Sequence, residues 1–301
     1  MRVGVGLPTT LPGADGSFII EWARAADEGP FSSLGVLDRL VYDSYDPFTS
    51  LAAAAAVTRR VLLATTIVIG PLHSTAILAK AAASLDALSG GRLVLGLAVG
   101  ARKEDYDAAG VDYHSRGRLL EEQLAEMRDL WEAGGQKAEG SGQKAVDGNL
   151  PSIAPTAMRA GGPPILVGGL SDVGFARMAR YADGYVHGGG PPRAFARAAD
   201  KARAAWLDAG RPGKPQLWAQ GYFALGGEDA AEAGMSYLGD YYAFTGPFAE
   251  RIASGILATP QAISGFIRGY REAGCDELVL FPTLPDLAQL EQLAQIISST
   301  F

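Results

Sequence analysis

Residues Leu78–Gly100 read LAKAAASLDALSGGRLVLGLAVG, a helix, a stop and a strand in immediate succession. The first half carries an apolar stripe at helical spacing. Ser89-Gly90-Gly91 ends it, and Leu93–Val99 is a nearly continuous apolar run. A strand buried on both faces loses the polar/apolar alternation of a half-exposed strand, and such strands belong to parallel sheets. The stretch is therefore one αβ step of a parallel α/β fold.

Outward from this step the pattern repeats. Strand-like runs fall at Val3–Leu7, Ser33–Leu37, Val61–Ile69, Leu93–Val99, Pro164–Gly168, Gly184–His187, Leu217–Leu225 and Glu277–Phe281. Helical spacing lies between them. Leu120, Leu124, Met127 and Trp131 share one face, as do Phe175, Met178, Ala179 and Ala182. Ser115 is placed to cap the fourth helix. Gly/Pro turns at Gly90-Gly91, Gly161–Pro164, Gly188–Pro192 and Gly210–Gly213 separate the elements. Eight alternations without a linker predict a single domain over residues 1–301, a closed (β/α)8 TIM barrel, with a doubly wound sheet as the alternative. Insertions after strands 4 and 7 interrupt it. Gly134–Gly162 reads as a surface excursion. Gly239–Pro260, with Tyr241, Tyr242, Phe244 and Phe248, reads either as a lid or as extra helices on the barrel wall.

Composition narrows the class. A net charge of −7 without a basic cluster argues against a nucleic-acid partner. The single cysteine, Cys275, excludes an internal disulfide framework and fits a reducing cytoplasm. It precedes an apolar strand and reads as a packed small residue. MRVGVGLPTT reads as a first strand rather than a signal peptide. No apolar stretch approaches the roughly 18 to 20 residues that span a bilayer, so no membrane partner is expected. Glycine, at 39 residues, is about twice its usual share of roughly 7%, which suits tight turns and backbone lying close to a ligand.

A barrel gathers its chemistry at the C-terminal ends of its strands. That rule selects Leu7-Pro8-Thr9, Asp38-Arg39, Thr65–His73, Gly100–Asp105 and His187-Gly188-Gly189, with His73, His114 and His187 all on the rim. A metal site is not expected, because the first strand, Val3-Gly4-Val5-Gly6-Leu7, lacks a His-x-His, and no two histidines stand at i, i+2 or i, i+4. No G-x-S-x-G elbow is present. Ile165–Ser171 is an apolar strand, two glycines and a hydroxyl at a helix start, an arrangement that accepts an anion on bare backbone N–H groups. Gly188-Gly189-Gly190 adds a second bare wall, and the pair points to a phosphate-bearing ligand.

Several segments resemble the luciferase-like flavin oxidoreductases. These are Ser33–Leu40 (SLGVLDRL), the Ala-rich helix and Thr-Arg-Arg-Val strand of Ala52–Gly70, and Ala79–Gly96 with its Ala-Ser-Leu-Asp-x-Leu-Ser-Gly-Gly-Arg signature. Glu104–Gly117 (EDYDAAGVDYHSRG) and Val167–Tyr185, with Gly-Gly-Leu-Ser and Tyr-Ala-Asp-Gly-Tyr, complete the set. The resemblance implies a barrel that binds FMN or, in one branch, the deazaflavin coenzyme F-420. The ring would lie over the strand ends, with the phosphate near Gly168, Gly169, Leu170 and Ser171. Asp38, Thr65, Thr66, Ile67, Gly100, Gly188 and Gly189 would complete the cofactor site. A non-proline cis peptide is expected around Thr65-Thr66-Ile67. Gly4, Gly6, Thr66 and Ile67 would wall a dry pocket.

The implied activity is that of a two-component monooxygenase, using reduced FMN from a separate flavin reductase and oxygen on a small organic substrate. The alternatives are a coenzyme F-420-dependent reductase or dehydrogenase and a non-catalytic flavin-binding homologue. His73 and His187 are the candidate proton-transfer groups. Arg39 stands where the family places a histidine, and joins them as a candidate catalytic residue. Ala101 stands where some deazaflavin dehydrogenases carry a carboxylate. No G-x-G-x-x-G follows the first strand, so no internal NAD(P)H site is evident. The small-residue faces of Leu51–Val57 and Ala79–Ala83 correspond to the helices that pair relatives into homodimers, unless those alanines face the barrel.

Overall fold

The computed structural model describes residues 1–137 and 153–300. Strands β1 (Arg2–Gly6), β2 (Ser33–Val36), β3 (Leu62–Ile69), β4 (Leu93–Ala98), β5 (Ile165–Gly168), β6 (Gly184–His187), β7 (Gln216–Phe223) and β8 (Glu277–Pro282) pair in parallel in sequence order. β8 returns to β1, so the sheet closes as the expected TIM barrel. The helices are α1 (Gly16–Glu28), α2 (Pro47–Val57), α3 (Thr75–Ser89), α4 (Lys103–Ala109), α5 (Arg116–Lys137), α6 (Asp172–Tyr181), α7 (Pro192–Asp208), α8 (Glu228–Tyr241), α9 (Phe248–Ala253), α10 (Pro260–Glu272) and α11 (Leu287–Thr300). The short α4 follows β4. The pair α8–α9, joined by a 3-10 turn at Ala243–Thr245, follows β7.

Local chemistry sets the breaks. Asp15 and Asp46 accept the N–H groups of Phe18 and Thr49 at 2.8 and 2.7 Å, capping α1 and α2. Gly90, at φ 70°, ends α3 in the left-handed conformation that favours glycine. The polar residues of the opening stretch are structural staples. Arg92 donates from Nη1 to Thr58 Oγ1 and Val61 O, both at 2.9 Å, tying β4 to the entry of β3. Asp86, fully buried, accepts the Met158 N–H at 2.8 Å.

The core forms two shells. Val3, Val5, Leu34, Val36, Leu95, Val167 and Leu280 face the helices, whereas Ala64, Val94, Leu166, Val186, Trp218, Val279 and Phe281 fill the barrel. The alternation along each strand sets this division. Gly6 and Gly35 are bare because Phe281 and Val279 lie across them. A Cβ on Gly6 would stand 2.1 Å from the Phe281 ring, and one on Gly35 2.7 Å from Val279 Cγ1. At the barrel floor Glu277, fully buried, accepts hydrogen bonds from Ser32, from Ser33 at 2.6 Å and from Arg2 Nε at 2.8 Å. Cys275 is packed as expected; its thiol donates to Glu277 O at 3.1 Å, and burial pushes it above its ordinary pKa.

Three local expectations are corrected. Ser115 does not cap a helix with its hydroxyl, which donates to Asp112 O at 2.7 Å. Asp112 instead accepts the His114 N–H, because a 3-10 turn, Tyr113–Ser115, precedes α5. The excursion expected from Gly134 begins later, since α5 carries Gly134 and Gly135 to Lys137. Two glycines cost about 1 kcal/mol each in a helix, less than the burial of Leu120, Leu124, Met127 and Trp131 on the same helix provides. Within Gly134–Gly162, residues 138–152 lie outside the described residues. The returning segment fastens on α3, with Lys80 Nζ donating to Ala154 O. The excursion after β7 starts at α8 rather than at Gly239. It packs across the barrel mouth, where Leu238, Tyr241 and Ala253 join the barrel-interior cluster.

Candidate active site

The mouth has two unlike halves. Over β3–β6 its lining is small and reaches solvent. Ile67, Ala98 and Gly168 are half-buried, and Gly188, which continues the inward parity of Val186, is exposed. The Thr66–Ile67 peptide is cis, and the β3–β4 register shifts between Thr65 and Val68. This bulge turns Ile67 toward the barrel interior beside Leu62 and Ala64. Thr65 and Thr66 lie beneath the cleft. Thr65 Oγ1 bridges the Gly96 N–H and C=O, both at 2.8 Å, and Thr66 Oγ1 points to Val36 O at 3.4 Å. Gly100, at φ 64°, turns the chain past Ile69, whose side chain would stand 2.9 Å from a Cβ there.

At one edge of this cleft β5 runs into the N-terminus of α6. Ser171 Oγ accepts the Gly174 N–H at 3.1 Å. Gly169, at φ 144°, has nothing within 4 Å of the position a Cβ would take, and Leu170 stands out in solvent. The first-turn carboxylate, Asp172, is paired with Lys201 at 2.8 Å. Gly189 and Gly190, at φ 104° and 103°, present bare backbone alongside. A flat ring carrying a phosphorylated tail fits this arrangement. Small side chains line the half-mouth where such a ring would lie, and open backbone with a helix N-terminus would receive the anion.

Beside the cleft the structure brings Asp38 and His73 together. Asp38 Oδ2 accepts the Ile69 N–H at 2.8 Å and lies 3.9 Å from His73 Nε2. The backbone of His73 is fixed twice, by its own N–H to Gly70 O at 2.9 Å and by Gln123 Nε2 to its carbonyl at 2.7 Å. A half-exposed imidazole held beside a nearly buried carboxylate is equipped to move a proton.

The other two candidate catalytic residues sit elsewhere. Arg39 turns away from the cleft. Its guanidinium lies 4.1 Å from the Tyr42 ring centroid and 4.4 Å from that of Tyr241, and donates to Tyr241 O. Burial pulls its pKa down, with Tyr241 opposing. The Arg39 side chain clamps the excursion to the β2 loop. His187 shares the outward face of Tyr185. It is buried, with Nδ1 3.1 Å from Tyr185 OH and its ring 5.8 Å from that of Phe195. Burial pushes its pKa below the ordinary value, the Gly189 backbone opposing. His114 is exposed on the 3-10 turn before α5.

The other half of the mouth is closed by phenols. Tyr222 OH bonds Tyr242 OH at 2.5 Å, Tyr237 OH bonds Thr10 Oγ1 at 2.7 Å, and Tyr42 OH donates to Asp240 Oδ2 at 2.9 Å. Burial pushes the Tyr222 and Tyr241 phenols well up, and burial with Asp240 pushes Tyr42 to about 12, so all stay neutral. Arg102, nearly buried, lies 5.3 Å from the Phe244 ring centroid and donates to Val41 O at 3.2 Å. Tyr222 and Gln220 were not among the expected site residues, and Arg102, inside the expected rim stretch Gly100–Asp105, had no role assigned. The first two are findable by counting inward parity along β7 from Trp218.

A family model described as luciferase-like monooxygenase matches residues 1–274. An uncharacterized protein of Mycobacterium tuberculosis is 33% identical over 200 residues, 59% of this chain and 67% of that protein. The pyrimidine monooxygenase RutA of Escherichia coli is 34% identical over 177 residues, 55% of this chain. The match spans only 46% of RutA's own length. Among solved structures, the monooxygenase RslO1 from Streptomyces bottropensis superposes with a TM-score of 0.77 at 22% identity, covering 100% of this chain and 98% of that one. A coenzyme F-420-dependent secondary alcohol dehydrogenase, bound to a cofactor–acetone adduct, gives 0.76 at 18%, covering 100% and 99%. The FMN-bound oxygenating constituent of 3,6-diketocamphane monooxygenase of Pseudomonas putida gives 0.76 at 18%, covering 99% and 96%. These structural likenesses are likenesses of fold.

Proposed function

The chain belongs to the luciferase-like monooxygenase family, and from that premise we propose that it is a monooxygenase acting on a small organic substrate with reduced FMN and molecular oxygen. The family comprises flavin- and coenzyme F-420-dependent oxidoreductases. The observation that carries the reading is the bare half-mouth over β3–β6 ending at the α6 N-terminus. Gly168, Gly169, Leu170 and Ser171 would hold the phosphate. Ile67, Ala98, Gly168 and Gly188 would face the ring. When bound, reduced flavin supplies the two electrons that activate oxygen.

The chain's own residues supply the rest. His73, whose Nε2 lies 3.9 Å from Asp38 Oδ2, exchanges a proton through Nδ1 with the substrate or with water at the cleft edge. The α8–α9 excursion, pinned by Arg39 and by the Thr10–Tyr237 and Tyr222–Tyr242 bonds, keeps water from the apolar half. FMN is favoured over coenzyme F-420 because Ala101 stands at the position where the resemblance places the carboxylate of some deazaflavin dehydrogenases. The identity to a protein named as a monooxygenase points the same way. A separate flavin reductase is the natural electron source, since no dinucleotide fingerprint follows β1.

Parallel fluorescence titrations with FMN, reduced FMN and coenzyme F-420 test the proposal. Reduced FMN is expected to bind at least tenfold more tightly than coenzyme F-420; the reverse order would transfer the chain to the deazaflavin branch. Saturable binding without oxygen-dependent turnover on any substrate of a broad panel would favour the non-catalytic reading.

Leu51, Ala54, Ala55, Ala79, Ala82 and Ala83 are buried in the core, so those small-residue faces turn to the barrel, and we propose instead a homodimer through the outer face of α3. Ile77, Ala81, Ser84 and Leu88 recur at i, i+4, i+7 and i+11 on the outer face of α3, with Ile77 68% and Leu88 74% exposed. Sedimentation equilibrium should return twice the 31.4 kDa chain mass. Leu88→Glu should return the single mass, and a parent chain that sediments as a monomer contradicts the assignment.

A further inference from the structure

Three consecutive glycines follow β6, and two buried side chains from different layers hold them. Gln220, on the inward face of β7, donates from Nε2 to Gly188 O at 3.3 Å. Tyr270, on α10 outside the barrel, donates its hydroxyl to Gly190 O at 2.8 Å. Gln220 is 5% exposed and Tyr270 is fully buried. Burial pushes the Tyr270 phenol up, so it remains a donor. Its ring is wedged between Phe266 and Phe195, with centroids at 4.6 and 4.9 Å. Phe195 in turn meets His187, whose Nδ1 bonds Tyr185 OH. A continuous aromatic stack thus runs behind the glycine segment.

This construction answers a specific difficulty. A flat ring lies close to backbone only where side chains are absent, and Gly189 and Gly190 adopt a conformation that favours glycine. The same freedom lets a glycine triplet wander, and ordering it at the moment of binding would weaken affinity. Hydrogen bonds to the first and last carbonyls remove that freedom beforehand, one from inside the barrel and one from outside.

We infer that Gln220 and Tyr270 are positioning residues that hold Gly188–Gly190 as a preformed wall for the cofactor, which rests on the reading of the mouth given above. His187 belongs to the support of this wall rather than to proton transfer.

The test uses Tyr270→Phe, which removes one oxygen and keeps the stack, and Gln220→Met, which removes the amide and keeps its volume. Backbone 15N relaxation of the cofactor-free protein should show the order parameters of Gly188–Gly190 falling from about 0.85 toward 0.6 or below in each variant. Fluorescence titration should show reduced FMN binding weakened about five- to twentyfold. The pH dependence of kcat/KM should stay as in the parent, and Tm should stay within about 4 °C. Unchanged order parameters in both variants overturn the inference, as does weakened binding without any loosening, which would make these residues direct contacts. If Tyr270→Phe fails to fold, Gln220→Met decides on the same readouts. A parent chain that binds neither FMN nor coenzyme F-420 overturns the reading of the mouth itself, and that failure shows in the parent rather than in the variants.

Discussion

Gly188→Leu is expected to fold like the parent chain and to lose its cofactor. No atom lies within 4 Å of the position a Cβ would take on Gly188, and its φ lies outside the left-handed region. The backbone therefore accepts a side chain without strain, and a surface substitution of this kind shifts stability by no more than about 0.5 kcal/mol. The inward parity of Val186 carries the new isobutyl group into the cleft between Ala98, Gly168 and Ile67. Forcing a ring against that group costs about 1–3 kcal/mol, which is about 5- to 150-fold in affinity. Urea unfolding and a reduced FMN titration on the same sample separate the two quantities. Full affinity in a folded Gly188→Leu chain would move the ring out of this half of the mouth. Gly169 is a poorer probe, because at φ 144° any side chain is strained there whether or not a ligand is near.

The second large effect is expected at His73. Replacing it by alanine removes the proposed proton carrier while leaving the turn, because the turn is fixed by the His73 N–H to Gly70 O and by Gln123 to the His73 carbonyl. Loss of a positioned general acid–base group lowers kcat by about 10²–10⁴-fold. Cofactor affinity should hold, since the side chain stands at the cleft edge rather than beneath it. Asp38→Asn should act in the same direction but less, about tenfold, because an amide oxygen can still accept the Ile69 N–H while the negative charge beside the imidazole is lost. Pre-steady-state turnover with reduced FMN supplied in excess reads both. A His73→Ala enzyme with parental kcat would assign proton transfer to solvent or to the substrate itself.

Much of this molecule is legible before any coordinates. The strands announce themselves because both faces are buried, and their ends fall within two residues of the expected ones wherever a glycine, proline or capping side chain marks the break. The signature around Asp86 and Arg92 is legible as a family mark, but its physical role emerges only from the contacts, Arg92 tying β4 to the entry of β3 and Asp86 holding the Met158 N–H. Three things were hidden. The first is side-chain direction past a strand end: His187 and Gly188 are adjacent, yet one faces the helices and the other the mouth. Parity counted from Tyr185 and Val186 would have separated them. The second is the partner of a long side chain. Arg39 can reach several neighbours, and its aromatic clamp depends on Tyr241 and Phe244, about two hundred residues away. α8 was missed because its moderate apolar pattern faces the top of a barrel, a surface that exists only after eight strands have closed.

The most direct measurement is a crystal structure of the chain soaked with reduced FMN. The tricyclic ring is expected against Ala98, Gly168 and Gly188, with Ile67 behind it and the phosphate on the N–H groups that open α6. A ring seated over the β7–β8 half among Tyr222 and Tyr242, or a phosphate far from Gly169, would contradict this placement.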